Sequence, residues 1–305
     1  MKPRTRSWFR LILCLLLGGG LYLLLRSYDQ SYVFHPTTTL TRTPQDVDLA
    51  FDSVILATTD GVNIHGWFIP EQSDEGDGAS GDVSPCLLFF HGGDGNCSDR
   101  LQKVRLFHDI GLDVFIFDYR GYGKSSGTPS EHGLAIDAQA AYSYLVGKRG
   151  VKPQRLYLYG EDLGAAVAIN LATKARAAGL ITEAASASVI EEIRESWPLI
   201  PWQYLIRNQF DSVAKIRNVH IPVLLIHSSD DEVVSFNDSR RLFALAHEPR
   251  QLLEIHGAHK DAFVDSFDSY YDAISKFVQA DDREKTDVTS SSTESGAPAS
   301  KEPVP

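Results

Sequence analysis

Five consecutive residues give the strongest indication of the architecture: Gly160-Glu161-Asp162-Leu163-Gly164. They follow an apolar, strand-like run at 156–159 and lead into the small and apolar residues at 165–172, a pattern typical of a helix packed on a sheet. A strand, a sharp turn flanked by glycines and a helix form the context of a nucleophile elbow, which lifts its central side chain towards the helix start. The central residue here is Asp162, where a serine is usual. The glycines therefore predict the scaffold, and the chemistry of Asp162 is a separate question.

The same five residues also fit an ordinary strand-to-helix turn of any α/β protein, so support is needed from elsewhere in the chain. An apolar run at 86–90 ends in His91-Gly92-Gly93. A His-Gly-Gly turn after a strand supplies backbone N–H donors for an oxyanion hole. We expect the N–H groups of Gly93 and Leu163 to be the two donors, and His91 and Gly92 to contact the substrate.

Two further strand-like runs, at 223–227 and 251–255, each lead into a loop with a reactive side chain. The first loop is acidic and contains Asp231, and the second contains His259. The order of nucleophile, acid and histidine along the chain is that of an α/β-hydrolase site. We predict Asp162 as the nucleophile, Asp231 as the orienting acid and His259 as the base, with the aspartate before Asp231 as the alternative acid.

Residues from about 51 to 278 resemble an α/β-hydrolase of the serine-aminopeptidase-like branch, especially its bacterial members with one N-terminal membrane anchor. The most specific match is the Asp-Tyr-Arg-Gly-Tyr-Gly-Lys-Ser-Ser-Gly segment at 118–127. Residues 59–67 resemble the entry hairpin of that branch, and residues 210–216 resemble the stretch before its seventh strand. The resemblance implies an α/β-hydrolase fold with a mostly parallel eight-stranded sheet, covering helices, a short helical lid and an N-terminal transmembrane helix.

A second segment, Gly123-Lys124-Ser125-Ser126-Gly127, fits the serine form of the elbow motif literally. However, no helical pattern follows it, and Pro129 disfavours helical backbone in the residue before it. In the family this segment is a loop near the site. We therefore interpret Ser125 as a turn residue and not as a nucleophile.

Composition limits the possible partners and cofactors. The 305-residue chain carries a net charge of −11, which argues against nucleic acid as a partner because phosphates require lysine and arginine. Of its three cysteines, Cys14 lies in the apolar N-terminal run, while Cys86 and Cys97 leave pairing open. The sequence shows no cluster of histidine and cysteine with metal-ligand spacing. We expect no metal, no cofactor and a small-molecule substrate.

An apolar stretch at 8–26 has nearly the length that a bilayer requires. The positive residues concentrate before it, which keeps the N-terminus in the cytoplasm and predicts a periplasmic or other extracytoplasmic hydrolase domain. A cleaved signal peptide is the alternative, but no small-x-small cleavage site follows the run. We expect an uncleaved single-pass anchor.

The remaining organisation follows from composition. We predict a cytoplasmic N-terminus at 1–7, the anchor at 8–26, a stalk at 27–50, the hydrolase domain at 51–280 and a disordered, Ser- and Glu-rich tail at 281–305. A short lid is expected at about 188–210. Its Trp197 and Trp202 are candidates for substrate binding, although packing of the lid onto the body explains them equally well.

The aspartate at the elbow leaves three interpretations of function. Haloalkane dehalogenases and epoxide hydrolases place Asp at this position of the same fold, and its carboxylate attacks carbon to form an ester. The first interpretation is therefore a hydrolase of ester-like or other small acyl or alkyl substrates with Asp162 as nucleophile or base. In the second, the protein has lost catalysis and binds a ligand or partner. In the third, His259 and Asp231 activate water directly. We favour an active hydrolase.

Overall fold

A computed structural model describes residues 33–71, 84–196 and 207–279, together with positions 12, 13, 16, 19 and 20. Most of the predicted anchor, the tail at 281–305, Trp197 and Trp202 lie outside these residues. Among the residues that are described, no helix is long and apolar enough to span a bilayer. The described residues comprise most of the predicted hydrolase domain.

The domain is built on an eight-stranded sheet, accompanied by a pair of two-residue strands. In chain order the strands are β1 (His35–Pro36), β2 (Asp52–Ala57), β3 (Asn63–Ile69), β4 (Cys86–Phe90), β5 (Asp94–Gly95), β6 (Asp113–Phe117), β7 (Leu156–Glu161), β8 (Gly179–Glu183), β9 (Val223–Ser228) and β10 (Arg250–Ile255). The large sheet has the order β10-β9-β8-β7-β4-β6-β3-β2, and β1 pairs with β5. All neighbours in the large sheet are parallel except those of β3, which is antiparallel to both β2 and β6. This confirms the predicted mostly parallel, eight-stranded sheet.

Helices cover both faces of the sheet. They are α1 (Leu101–Asp109), α2 (Glu131–Gly147), α3 (Leu163–Ala172), α4 (Val189–Ser196), α5 (Ser212–Ile216), α6 (Phe236–Leu245), α7 (Ala262–Asp265) and α8 (267–279). Apolar residues of α2, α3 and α6 pack in the core on one face, and those of α1 and α8 pack on the other. The central strands β4, β7, β8 and β9 are consequently buried along their whole length, which explains their near-continuous apolar sequences.

Several boundaries differ from the sequence predictions. The small and apolar residues after the elbow predict a helix over 162–178, but α3 ends at Ala172, because residues 173–178 return the chain to the sheet, where the Ala178 N–H donates to Leu156 O at 2.8 Å. The sequence also predicts one last helix over 265–278. The structure interrupts it at Ser266, whose hydroxyl accepts the His256 N–H at 2.9 Å and donates to His256 O at 3.0 Å. Cys86 and Cys97 are both buried free thiols and do not pair.

Candidate active site

Asp162 lies at a sharp turn between β7 and α3. Its backbone angles, φ 50° and ψ −119°, are unusual for a residue with a side chain, and such strain is typical of functional turns. The flanking glycines permit the turn. A Cβ on Gly160 would lie 2.3 Å from the carbonyl oxygen of Gly164, and one on Gly164 would lie 2.0 Å from that of Phe90. The glycines therefore allow α3 to approach the sheet closely enough to form the elbow.

The Asp162 carboxylate lies in the pocket expected to hold an oxyanion. Its Oδ2 accepts a hydrogen bond from the Gly93 N–H at 3.0 Å. No hydrogen bond reaches Oδ1 from any described residue, and none joins the Leu163 N–H to this side chain. The start of α3 also favours a negative charge at this position. One carboxylate oxygen is thus held by the backbone, and the other accepts no hydrogen bond from the described residues.

The loop that carries Gly93 is fixed by several contacts. The carbonyl oxygen of Gly93 accepts hydrogen bonds from the His35 N–H at 3.0 Å and from the Tyr122 hydroxyl at 2.9 Å. The Tyr119 hydroxyl donates to His91 O at 2.9 Å. These bonds hold the peptide groups of the loop, so that the Gly93 N–H points at the elbow without rearrangement.

Asp231 and His259 are in direct contact. His259 Nδ1 lies 2.7 Å from Asp231 Oδ2. The other carboxylate oxygen of Asp231 accepts the N–H groups of Val233 and Val234, each at 2.8 Å. The neighbouring aspartate, Asp230, is exposed and contacts His256. The structure therefore brings Asp231, and not the alternative acid, to His259.

The two members of this pair have pKa values shifted in opposite directions. Burial by itself raises the pKa of Asp231, but hydrogen bonds from His227, from His259 and from two backbone N–H groups more than offset it and hold the pKa well below its usual range. The pKa of His259 is raised, mainly by its hydrogen bond to Asp231 and against the effect of burial, with a further contribution from the charge of Asp162. Both shifts favour the charged pair.

His259 and Asp162 face each other across a gap. Neither ring nitrogen of His259 is within 4.0 Å of the Asp162 carboxylate oxygens, although the two side chains line the same cavities. A gap of this kind leaves room for a water molecule or a substrate atom between base and carboxylate. The arrangement can therefore activate water next to Asp162.

Two cavities meet at the elbow. One, of about 320 Å³, is bounded by apolar side chains that include Leu163, Val189 and Phe210. The other, of about 460 Å³, is lined by charged side chains that include Arg100 and Glu161. Asp162 and His259 line both of them. A reacting group at the elbow can thus have an apolar part on one side and a polar part on the other.

A buried charged network that sequence reasoning missed lies under the second cavity. Lys103 Nζ lies 2.5 Å from Glu161 Oε2 and 2.8 Å from Glu183 Oε2, and Arg100 pairs with Glu161. Glu183 also accepts hydrogen bonds from the hydroxyls of Tyr159 and Tyr270. Burial raises the pKa of Glu161, but Lys103 and Arg100 outweigh it and hold that pKa well below normal. The sequence contained one signal of this network, because Glu161 and Glu183 each end a buried strand. Glu161 is next to the elbow, and Glu183 ends the neighbouring strand.

Other predicted site residues have different positions. Gly92 lines the charged cavity, as expected for a residue near substrate. His91 was expected to contact substrate, and this is wrong: it is completely buried and packs against Tyr119 and Tyr122, behind the loop. Ser125 is a turn residue, since its hydroxyl donates to Asp118 O at 2.7 Å and accepts the His65 N–H at 2.8 Å.

Comparison with known proteins agrees with this fold. The family model for the alpha/beta hydrolase fold matches residues 85–205. An uncharacterized protein of Mycobacterium tuberculosis is 34% identical over 264 residues, which covers 86% of this chain and 92% of that protein. The protein bem46 of Schizosaccharomyces pombe is 31% identical over 79% of this chain and 80% of its own length. An esterase of Pyrococcus furiosus superposes with a TM-score of 0.66 at 18% identity, covering 81% of this chain and 99% of the esterase. The chain belongs to the α/β-hydrolase family.

Proposed function

We propose that this protein hydrolyses small substrates at an electrophilic alkyl carbon, with Asp162 as a covalent nucleophile. The observation that carries the proposal is the hydrogen bond from the Gly93 N–H to Asp162 Oδ2. In a serine hydrolase, this N–H group is free to donate to the carbonyl oxygen of the ester substrate. Here the Asp162 carboxylate already accepts its hydrogen bond. Attack on an alkyl carbon creates no carbonyl oxyanion and does not need the donor in its first step. The geometry therefore favours alkyl over acyl substrates.

The first chemical step uses the unbound oxygen of Asp162. Oδ1 attacks the alkyl carbon, a bond forms between them, and the bond from that carbon to a halide or an epoxide oxygen breaks. The leaving group keeps the bonding electrons. The product is an ester between Asp162 and the alkyl group, and the negative charge at Asp162 disappears.

The second step uses the oxyanion donor. His259 takes a proton from water, and the hydroxide attacks the carbonyl carbon of the Asp162 ester. The resulting oxyanion is the former Oδ2, which already accepts the Gly93 N–H. Collapse breaks the bond between the carbonyl carbon and the alkyl oxygen, and His259 gives its proton to the departing alcohol. The proton left on the new carboxylic acid passes to solvent, which restores the Asp162 carboxylate. Loss of the Asp162 charge in the first step also removes one of the causes that raise the pKa of His259, which prepares it as a base.

A trapping experiment tests this function. His259→Gln removes the base but leaves Asp162 in place, so the first step proceeds and the second does not. We expect intact-mass spectrometry to show an alkyl adduct on the Asp162 peptide after incubation with a short chloroalkane or epoxide. Asp162→Asn is the matched control and should form no adduct. The proposal fails if the wild-type protein turns over neither compound class and His259→Gln traps no adduct, which is the result expected of a hydrolase-like binding protein.

We also propose that residues 8–26 anchor the protein in a membrane with the hydrolase domain outside the cytoplasm. The uncharged part of this run, at 11–25, follows a basic flank, which supports this orientation. Reporter fusions to the C-terminus test it, since a reporter active only in the cytoplasm should be silent. Recovery of a shortened, soluble form would indicate a cleaved signal peptide instead.

A further inference from the structure

A cluster of potential metal ligands is buried behind the oxyanion loop. His65 Nδ1, Cys97 Sγ and a carboxylate oxygen of Asp118 lie within 4.8 Å of one another, and all three residues are buried. They come from β3, from the 3-10 helix Cys97–Arg100 and from the residue after β6. Because these segments are far apart in the chain, no ligand spacing is visible in the linear sequence.

Two imidazole nitrogens beside Asp118 have no hydrogen-bond partner in the described structure: His65 Nδ1, which belongs to the cluster, and His91 Nε2, which lies next to it. They face opposite oxygens of the same carboxylate, at 3.8 Å from Asp118 Oδ2 and 3.7 Å from Asp118 Oδ1. These distances are too long for hydrogen bonds. A buried polar atom without a partner costs about 1–3 kcal/mol, so two around one carboxylate require an explanation.

The tautomer of His91 makes its contact with the Asp118 carboxylate more unfavourable. Its Nδ1 lies 2.8 Å from Gly92 O, and a carbonyl oxygen only accepts, so Nδ1 carries the hydrogen. In the neutral ring, Nε2 then presents a lone pair to the Asp118 carboxylate. A lone pair facing an anion is unfavourable unless a cation lies close to both.

The charge of Asp118 also lacks a partner. The carboxylate is completely buried, and no lysine or arginine of the described residues pairs with it. It accepts only the N–H of Cys97 at 2.8 Å and the thiol of Cys97 at 3.2 Å. A carboxylate and a thiolate together would balance a divalent cation. The cluster then becomes electrically neutral, which is what a buried site requires.

We propose that His65, Cys97 and Asp118 bind a divalent ion of the zinc class. A tetrahedral zinc site places neighbouring ligand atoms about 3.3–3.8 Å apart. The separations from Asp118 Oδ2 to Cys97 Sγ, 3.2 Å, and to His65 Nδ1, 3.8 Å, are close to this range. On binding, the S–H bond of Cys97 breaks, a metal–sulfur bond forms, and the proton passes to solvent.

The position of the cluster indicates a structural role. His91 precedes Gly92 and Gly93, and Cys97 follows the same loop two residues after Gly95. An ion held by Cys97 would fix the C-terminal end of the loop whose Gly93 N–H is directed at Asp162. All three ligand side chains are buried, so we do not expect the ion to contact substrate. This inference is independent of the reaction proposed for Asp162.

Metal analysis of the full-length protein tests the proposal. The chain is expressed in zinc-supplemented medium, purified without chelator and assayed by mass spectrometry for metal. We expect about one zinc ion per chain, lost in Cys97→Ala and in His65→Gln. Cys86→Ala is the matched control because Cys86 is equally buried but lies outside the cluster. A chelator should lower the melting temperature of the wild type and of Cys86→Ala, but not that of His65→Gln.

Cobalt substitution gives a readout that does not depend on the stability of the variants. Cobalt-loaded wild-type protein should show a near-ultraviolet thiolate-to-metal absorption band. The proposal is overturned if zinc-supplied wild-type protein holds no metal, or if Cys97→Ala retains the same zinc content as the wild type. It is also overturned if bound cobalt shows no thiolate band. In those cases a proton or a water molecule occupies the space beside Asp118.

Discussion

Asp162 Oδ2 accepts the backbone N–H of Gly93 at 3.0 Å, so the elbow side chain itself fills part of the oxyanion hole. A serine at this position would leave that donor to the substrate. The side chain at one position therefore determines both the nucleophile and the availability of the hole. Under the proposed function, this relationship is what favours alkyl over acyl substrates.

The first prediction concerns exchange of the elbow residue. Asp162→Ser shortens the side chain, frees the Gly93 N–H and places a hydroxyl near His259, so we expect short-chain esterase activity to appear. Activity towards an alkyl substrate should fall by at least about 10³-fold. Both are measured with a chromogenic short ester and by halide or diol release. Asp162→Ala is the control, since it frees the hole but supplies no nucleophile; equal esterase activity in the two variants would contradict the explanation.

The second prediction concerns pH. His259 must be neutral to accept a proton from water, and its hydrogen bond to Asp231 is the main cause that raises its pKa. The acidic limb of hydrolysis of the Asp162 ester should therefore lie above the ordinary histidine value of about 6.5. Asp231→Asn removes that cause, so the limb should move to lower pH while the plateau rate falls. Rates measured from pH 5 to 9 check this. An acidic limb that stays in place would show that Asp231 does not set the pKa of the titrating group.

The same pair has a defined effect on stability. A raised pKa of His259 contributes stability that is present below its unfolded value and is lost as pH rises through the folded value. A lowered pKa of Asp231 contributes stability that is present above its unfolded value and is lost as pH falls. His259→Gln should therefore cost the most in the acidic range between the unfolded pKa values of the aspartate and the histidine. Urea unfolding at pH 5.5 and pH 8.5 measures the difference, and a larger cost at pH 8.5 would oppose it.

The third prediction concerns the buried charged network. Lys103→Met leaves Glu161 and Glu183 with one fewer cation, so we expect a loss of about 3–5 kcal/mol in the free energy of unfolding. Lys276→Met is the matched control because Lys276 forms an exposed pair with Asp272, worth at most about 0.5 kcal/mol. Denaturant unfolding compares them. Similar losses in both variants would show that the network does not stabilise the fold.

The fourth prediction concerns the glycine after the elbow. A methyl group on Gly164 would lie 2.0 Å from Phe90 O, so Gly164→Ala should push α3 away from β4 and destabilise by about 1–3 kcal/mol. It should also displace Asp162 and lower the rate of ester formation. Gly147→Ala is the control because nothing lies within 4 Å of its added methyl group. That helical substitution should be neutral or stabilising, and an equal loss at both positions would contradict the packing explanation.

The fold was predictable because its signals are local. Buried strands covered on both faces require continuous apolar runs, and the elbow requires glycines at fixed positions around Asp162. Asp162, Asp231 and His259 could then be predicted in this order, because each one follows a predicted strand. The choice of Asp231 over Asp230 was less predictable. The two aspartates are adjacent in one loop, and only the structure shows which carboxylate accepts the N–H groups of Val233 and Val234.

Other features depend on contacts between distant segments. The network of Lys103, Glu161 and Glu183 joins three segments whose charges look solvent-exposed in the sequence alone. His91 was misplaced because the His-Gly-Gly motif specifies a loop beside substrate, whereas the direction of the ring depends on packing against Tyr119. No pattern within one segment carries that information.

Isotope labelling tests the central claim most directly. A single turnover of an alkyl substrate by excess enzyme in oxygen-18 water should place the label in the carboxylate of Asp162, because water attacks the carbonyl carbon of the enzyme ester. Mass spectrometry of the peptide that contains Asp162 should show a gain of one heavy oxygen in a fraction of the molecules, and the product alcohol should carry none. Turnover that labels the product and leaves Asp162 unlabelled would contradict covalent catalysis and indicate direct attack by water.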